Sequence, residues 1–244
     1  MRRLYQQVAR SLRSQIDESK YIVGQRLPAE RLLAEEFDVS RPVIREAMIA
    51  LEIAGVVQVR VGSGVYVVSR KGDSKAPQEL DVGPFELMEA RRVVESEVAA
   101  LAVDGLDDDQ FAKLDQLLLE MEHENEIGVV GERADREFHF TIANATKNSA
   151  LVMLVEKLWE LRDTSPMVVN MLNRSRAYGV QPMINDHKAV LDALKSRQKK
   201  AAREAMWRHL SNVIDALLEI TETDVLERAQ NEANALRKRY QLHP

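Results

Sequence analysis

The sequence predicts a mainly α-helical protein, in which a small N-terminal unit of three helices and a β-hairpin is joined to an all-helical bundle. Two observations lead to this prediction. Apolar residues recur at helical spacing along most of the 244-residue chain, and one pair of β-branched runs flanks a turn at 62–64. A polar stretch with glycine and proline separates the two parts. The predicted divisions are 1–69, a linker over 70–83, a helical domain over 84–223 and a polar helical tail over 224–244.

Three short helices are predicted before residue 56. The first covers 4–19, where apolar residues repeat at every fourth position on one face. The second covers 29–37, after the break that Pro28 imposes. Ser40 is expected to cap the third helix by accepting a backbone N–H with its hydroxyl, and Gly55 is expected to end that helix.

A hairpin follows these helices directly. Residues 56–61 and 65–68 are rich in valine, and a Gly-Ser-Gly turn joins them. Three helices and a hairpin, with a tight turn between the second and third helices, are the layout of a winged helix-turn-helix. The hairpin would be the wing.

Six further helices are predicted in the second part of the chain. They are placed at 84–104, 107–127, 131–146, 149–164, 182–196 and 198–223. Residues 168–181 are the least regular stretch and are assigned to no helix. The second part is therefore expected to be an all-α bundle.

The composition is that of an ordinary globular protein and excludes several classes of site. Hydrophobic residues make up 45% of the chain and charged residues 30%. No apolar run approaches the ~18 residues that a membrane span needs, and no apolar segment follows the basic N-terminus, so neither a span nor a signal peptide is expected. The absence of cysteine excludes disulfides, thiolate metal sites and cysteine nucleophiles, and a cytoplasmic location is expected.

Charge is distributed unevenly along the chain. The net charge is −5, but residues 1–70 contain 11 Lys and Arg against 8 Asp and Glu, whereas the remainder contains 23 against 31. The N-terminal part is therefore the part suited to approach a phosphate backbone. Chance variation in surface charge is the alternative explanation for a difference of this size.

Arginines at the start of the third helix have the spacing of a DNA-reading element. Arg41 and Arg45 are four residues apart and share a helical face, from which arginine reaches guanine edges or phosphates in the major groove. A simple solvated face is the alternative, but it leaves the turn, the cap and the hairpin unexplained. The other candidate DNA contacts are Arg31, Ser40, and Arg60 and Gly62 of the wing.

Four residues of the helical domain have the types and spacing of metal ligands. Asp135 and His139 are four residues apart on one helical face, and His187 and His209 each begin or interrupt an apolar helical stripe. One carboxylate and three imidazoles suit a divalent transition metal, Zn²⁺ first and otherwise Ni²⁺ or Mn²⁺, and leave positions for water or a ligand carboxylate. On spacing alone, ordinary core histidines remain an alternative.

The motif LPAERLLAEEFDVSRPVIREAMIALEIAGVVQVRVGSGVYV resembles the winged-helix domain of the GntR family of bacterial transcription regulators. The resemblance covers nearly all of residues 4–68 and implies that the chain binds double-stranded operator DNA. The residues at operator-contacting positions would be Arg31, Ser40, Arg41, Arg45 and Gly62. Pro42 departs from the family pattern, in which a Thr or another small residue is common.

Residues 84–223 resemble the all-helical FCD effector domain of the FadR subfamily of the same regulators. Many members have an Asp-x-x-x-His pair on one helix and two later histidines that together bind a metal. Asp135, His139, His187 and His209 match that pattern in order and approximate spacing. The resemblance therefore implies a metal site and a small-molecule effector.

Three further segments resemble the repressors of hexuronate catabolism in enteric bacteria. They are GPFELMEARRVVESEVAALA, KNSALVMLVEKLWELRDTSP and AAREAMWRHLSNV. This resemblance implies that the effector is glucuronate, galacturonate or a related sugar acid, whose carboxylate a metal and a nearby arginine would hold. Arg91, in the first segment, is the candidate arginine. Arg162, Trp159 and Asn185 are further pocket candidates, although core packing explains Trp159 at least as well.

These observations together predict a homodimeric, ligand-responsive transcription regulator and not an enzyme. It would act as a repressor that a sugar acid releases from a palindromic operator. Two alternatives stay open, namely a purely structural metal site with another effector, and a metal-dependent hydrolase. The hydrolase alternative lacks a clear general base beside the ligands. Activation of some promoters is also compatible with the sequence.

Overall fold

The computed structural model describes residues 3–60, 64–70, 82–128, 132–177 and 179–219. These residues form two compact units, one with the described residues up to Phe85 and from Leu217 onward, the other with Glu86–Ala216. Gly62, most of the expected linker and the expected tail lie outside the described residues. The mainly α-helical class is confirmed, because the described part contains ten helices and one two-stranded sheet.

The N-terminal unit has the predicted winged-helix order. Its elements are α1 (Leu4–Asp17), α2 (Glu30–Phe37), α3 (Arg41–Ile53), β1 (Val57–Arg60) and β2 (Gly64–Val67). Its core forms where α1 packs on α3, and Leu12, Leu33 and Ile44 from the three helices are fully buried there. Burial of each such side chain contributes about 1.5–3 kcal/mol, which fixes the helices around a common centre.

The turn that presents α3 depends on local backbone chemistry. Asp38 ends α2 with a φ of 51°, a left-handed conformation that Asp adopts more readily than most residues. Ser40 takes the cap position of α3, but its hydroxyl does not accept the expected capping hydrogen bond. Pro42 stands at the second helical position and has no N–H, which removes one of the two backbone donors that a cap residue can accept. Gly55, with a φ of 66°, follows the end of α3 as predicted.

The wing is held by three chain segments. β1 and β2 are antiparallel, with Val57 opposite Val67 and Arg60 opposite Gly64. The stretch before α2, which the sequence suggests only as a break between helices, pairs with β2. There the Leu27 N–H donates to the Val65 carbonyl at 2.7 Å, and the Val67 N–H donates to the Gln25 carbonyl at 3.0 Å. These bonds tie the hairpin to the base of the helix-turn-helix.

The helical unit consists of seven described helices. They are α4 (Pro84–Ala102), α5 (Asp108–Ile127), α6 (Arg133–Ala145), α7 (Ser149–Thr164), α8 (Pro166–Ala177), α9 (Ile184–Lys195) and α10, which is helical from 199 to 219. α5 packs on α6 and α9, and α6 packs on α7. Phe138 of α6 and Trp159 of α7 are among the largest fully buried side chains of this core. No helix in the described ranges is long and apolar enough to cross a membrane.

Helix α8 covers most of the stretch 168–181, which is the least regular by sequence and is assigned to no predicted helix. It begins at Pro166, which suits a first helical position because its missing N–H costs little there. Its buried positions are Met167, Val168, Met171 and Ser175. The buried positions do repeat with the helical period. The last of them is a serine, however, so the apolar pattern in the sequence is too short to predict the helix.

Candidate functional site

Three helices bring the three predicted histidine ligands together. His139 of α6, His187 of α9 and His209 of α10 are all buried, and each offers a ring nitrogen within 4.8 Å of the other two. Two nitrogens that each bind one ion at about 2.1 Å can be no more than about 4.2 Å apart. The three rings would therefore need only a small inward shift to bind the same ion. The donor set therefore fits a divalent transition metal.

Asp135 belongs to the same cluster. Its Oδ1 lies 2.9 Å from Nε2 of His187 and 3.5 Å from Nε2 of His139, one helical turn along α6. Burial raises the pKa of Asp135, but hydrogen bonds from the two histidines outweigh burial and hold that pKa well below its usual value. The carboxylate is thus ionised and faces the two Nε2 atoms, as a metal ligand must.

Oxygen atoms lie beside the opposite nitrogen of each histidine ring. His139 Nδ1 contacts the carboxylate of Glu95, and His187 Nδ1 donates to the carbonyl of Met183 at 3.0 Å. His209 Nδ1 lies 3.9 Å from a carboxylate oxygen of Asp186. A hydrogen bond at Nδ1, such as that of His187, fixes the ring and leaves Nε2 available for an ion, whereas 3.9 Å is too long for a hydrogen bond at His209.

The charges of the metal-free cluster follow from burial and from these contacts. Burial lowers the pKa of His139, but its carboxylate neighbours, chiefly Glu95, outweigh burial and raise that pKa to about 9. Burial raises the pKa of Glu95, but Arg91 and His139 outweigh burial and lower it to about 2. Burial, reinforced by the neighbouring His187, lowers the pKa of His209 to about 3. At neutral pH His139 is therefore charged and His209 is neutral.

An aromatic and cationic group adjoins the histidines. The Trp159 ring lies 5.3 Å from that of His139, and the guanidinium groups of Arg91 and Arg162 lie over the indole at 4.2 and 5.0 Å. The indole N–H of Trp159 is buried without a hydrogen-bond partner among the described residues. A buried donor of this kind requires an explanation, such as a bound ligand.

The two arginines of this group already contact carboxylates that the sequence did not single out. Arg91 donates from Nε to Glu95 at 2.6 Å, and Arg162 contacts Glu132, which also accepts a hydrogen bond from Arg176 at 3.2 Å. The spacing of Arg91 and Glu95 at i and i+4 could have revealed the first pair. Asn185, the remaining pocket candidate, is exposed on α9.

The structure distinguishes the candidate DNA-contacting arginines by exposure. The Arg41 side chain is 53% exposed at the start of α3, whereas that of Arg45 is 6% exposed and donates from Nε to Glu30 at 2.9 Å. Arg31 is exposed and pairs with Glu35. Glu30, in the first turn of α2, also lies 4.0 Å from Arg41 and was not suggested by the sequence. Glu30 thus holds the two arginines of α3 near one another.

The remaining candidates lie at the wing and the turn. Arg60 is exposed, stacks on the Tyr66 ring at 4.6 Å and donates to Gln58 at 3.2 Å. Ser40 is exposed at the N-terminal end of α3, a position that suits a phosphate. Contacts of these residues with DNA stay predictions.

Comparison with known proteins identifies both units. The family model described as "Bacterial regulatory proteins, gntR family" matches residues 4–67, and the FCD domain model matches residues 86–212. The chain belongs to the GntR family. This GntR-family protein is therefore a DNA-binding transcription regulator with an FCD domain and not an enzyme, so the hydrolase alternative is set aside.

Relatives of this GntR-family regulator resemble it over most of their length. The Uxu operon transcriptional regulator of Escherichia coli (strain K12) is 39% identical, covering 91% of this chain and 90% of that protein. The Exu regulon transcriptional regulator of the same strain is 38% identical, with coverages of 91% and 88%. The Uxu operon regulator of Haemophilus influenzae is 35% identical, with coverages of 91% and 85%.

Proposed function

We propose that this cytoplasmic regulator represses genes of hexuronate-type sugar-acid catabolism. It binds a palindromic operator as a homodimer, and a sugar acid bound beside a divalent metal in the helical unit releases it. Asp135, His139, His187 and His209 hold the metal. The observation that carries the proposal is the buried cluster of these four side chains, joined to two arginines through Trp159.

The cluster has the chemistry of a sensor for a carboxylate. When bound, the ion supplies a concentrated positive charge that attracts a carboxylate. Arg91 and Arg162 add cationic charge next to the histidines, and the indole N–H of Trp159 offers a donor to a hydroxyl or carboxylate oxygen. A sugar acid carries both kinds of oxygen. Relatives named for the Uxu operon and the Exu regulon support this class of effector.

The DNA half of the proposal rests on the winged-helix unit. Arg41 is exposed at the N-terminal end of α3, the position from which a recognition helix contacts base edges. Two such units related by a two-fold axis would match the two halves of a palindromic operator. The effector needs to favour the non-binding arrangement by only about 1–3 kcal/mol to change operator affinity about 5–150-fold.

The effector class is tested by thermal unfolding of metal-loaded protein with a panel of hexuronates, aldonates and other small carboxylates. A ligand at 100 times its Kd stabilises a protein by about 2.7 kcal/mol. We expect one sugar acid to raise Tm by several degrees, and chelation or His139→Ala to abolish that shift. Stabilisation by metal without a response to any acid would make the site structural and contradict the proposal.

A further inference from the structure

Glu95 of α4 is a buried carboxylate shared by two groups of the proposed sensor. Its side chain is 3% exposed. Oε1 accepts a hydrogen bond from Arg91 Nε at 2.6 Å, and Oε2 contacts Nδ1 of His139. One side chain therefore touches both a proposed metal ligand and the proposed effector-binding arginine.

The anchors of the other two histidines differ from Glu95. His187 is held by the carbonyl of Met183, four residues before it in the chain. His209 faces Asp186 at 3.9 Å, and the Asp186 side chain is 19% exposed. Neither of these contacts, as the structure describes them, reaches Arg91. Glu95 differs from both anchors because it is buried, contacts His139 directly and also binds Arg91.

We propose that Glu95 is a positioning residue that couples the metal site to the effector site. It holds the His139 ring with Nε2 toward the ion, and it holds the Arg91 guanidinium across the Trp159 ring. The inference rests on the proposed function, because it assumes that an ion binds at the histidines and that Arg91 contacts the effector.

The effect on the metal follows from the chemistry of imidazole. A carboxylate that accepts the Nδ1–H selects the tautomer whose lone pair is on Nε2 and fixes the orientation of the ring. Loss of such an orienting partner typically weakens metal binding 10–100-fold. The His139 side chain is 1% exposed, so few water molecules can reach Nδ1 to replace a lost contact with Glu95.

The effect on the effector follows from the Arg91 contact. Arg91 is 4% exposed, so its guanidinium depends on Glu95 for both charge balance and orientation. Without that anchor the guanidinium is free to leave the face of Trp159. A single substitution of Glu95 should therefore weaken metal binding and effector binding together, whereas a substitution of Arg91 should weaken effector binding alone.

The test compares Glu95→Gln with Glu97→Gln in the full chain. Glu97 is on the same helix and pairs with Arg203 at 2.6 Å on the surface, so its substitution controls for loss of a charged pair on α4. Zn²⁺ affinity is measured by competition with a chromophoric chelator, and glucuronate and galacturonate affinity by calorimetry on Zn²⁺-saturated protein. We expect 10–100-fold weaker Zn²⁺ binding and at least tenfold weaker sugar-acid binding for Glu95→Gln. Glu97→Gln should change either affinity less than twofold.

A spectroscopic measurement separates positioning from general loosening. In Zn²⁺-loaded wild-type protein, the ¹⁵N signals of His139 should report a proton on Nδ1 and a bound metal at Nε2. In Glu95→Gln that Nδ1 proton should exchange faster with water. The corresponding signals of His187 should be unchanged, because its acceptor is a backbone carbonyl.

The outcomes are distinct. Wild-type protein that binds none of Zn²⁺, Ni²⁺ and Mn²⁺ would refute the proposed function itself. Two results would overturn the role of Glu95. One is equal Zn²⁺ affinity in wild type and Glu95→Gln, and the other is an equal loss of affinity in Glu95→Gln and Glu97→Gln. If metal-free Glu95→Gln does not fold, Glu95→Asp replaces it, since this variant keeps the charge but withdraws the carboxylate by one methylene. The same Zn²⁺ and sugar-acid thresholds then decide.

Discussion

Metal binding at the histidine cluster should displace a proton from His139, which makes metal affinity depend on pH in a defined direction. The pKa of His139 is about 9 in the metal-free protein, because its carboxylate neighbours outweigh burial. Two pH units below such a pKa, about 99% of the imidazole is protonated. A ligating histidine must be neutral, so the ion competes with this proton. Metal affinity should therefore rise about tenfold from pH 7 to pH 8 and level off as the pH passes 9.

The number of protons released at pH 7 follows from the same contacts. His139 should release about one proton per ion. His209 should release none, because burial lowers its pKa to about 3 and it is already neutral at pH 7. Calorimetric titration with Zn²⁺ in two buffers of different ionisation enthalpy measures this number directly.

A matched pair of variants makes the result interpretable. Glu97→Gln should release the same number of protons as wild type, because Glu97 pairs with Arg203 on the surface. His139→Ala should lose the pH dependence together with most of the affinity. Zn²⁺ affinity that is constant from pH 7 to pH 8.5, with no proton release, would show that His139 is either uncharged or not a ligand.

Three further predictions address other parts of the molecule. Arg41→Ala should weaken operator binding by about 1–3 kcal/mol and relax base preference in an anisotropy assay. Arg45→Ala should also lower Tm, because it leaves Glu30 without its buried partner. Equal operator affinity for wild type and both variants would show that α3 does not bind the operator through these arginines. Arg91→Lys should weaken sugar-acid binding about tenfold in calorimetry, because an ammonium lacks the planar fork of a guanidinium; unchanged binding would remove Arg91 from the site. Phe138→Ala should lower the free energy of unfolding in urea by about 3–5 kcal/mol, because this fully buried ring packs edge-on against two histidines; a loss below 1 kcal/mol would show that the core adjusts around it.

The sequence is most informative where function depends on local spacing. The helical period and the breaks at Pro28 and Gly55 predict the winged-helix order, since these signals act within a few residues. The residue types and order of the four proposed ligands predict that they act together. The structure places the three histidines within reach of one ion and Asp135 beside two of them.

The sequence is least informative where a partner comes from another element. Glu30 meets Arg45 from across the turn, and Glu132 meets Arg162 from a different helix terminus. Pairing of the 25–27 segment with β2 likewise depends on tertiary contact, because that segment has no strand pattern of its own. Such partners require the three-dimensional arrangement of the helices, which periodicity alone does not supply.

In the proposed function, a sugar acid releases the operator through a metal held by Asp135, His139, His187 and His209. The most direct test is operator affinity, measured on a duplex selected by the protein from random DNA. One protein sample is assayed metal-loaded, chelated and reloaded, each time with and without glucuronate or galacturonate. We expect a hexuronate to weaken operator binding at least fivefold in the loaded and reloaded states and to have no effect in the chelated state. Equal responses in all three states would contradict the proposed function.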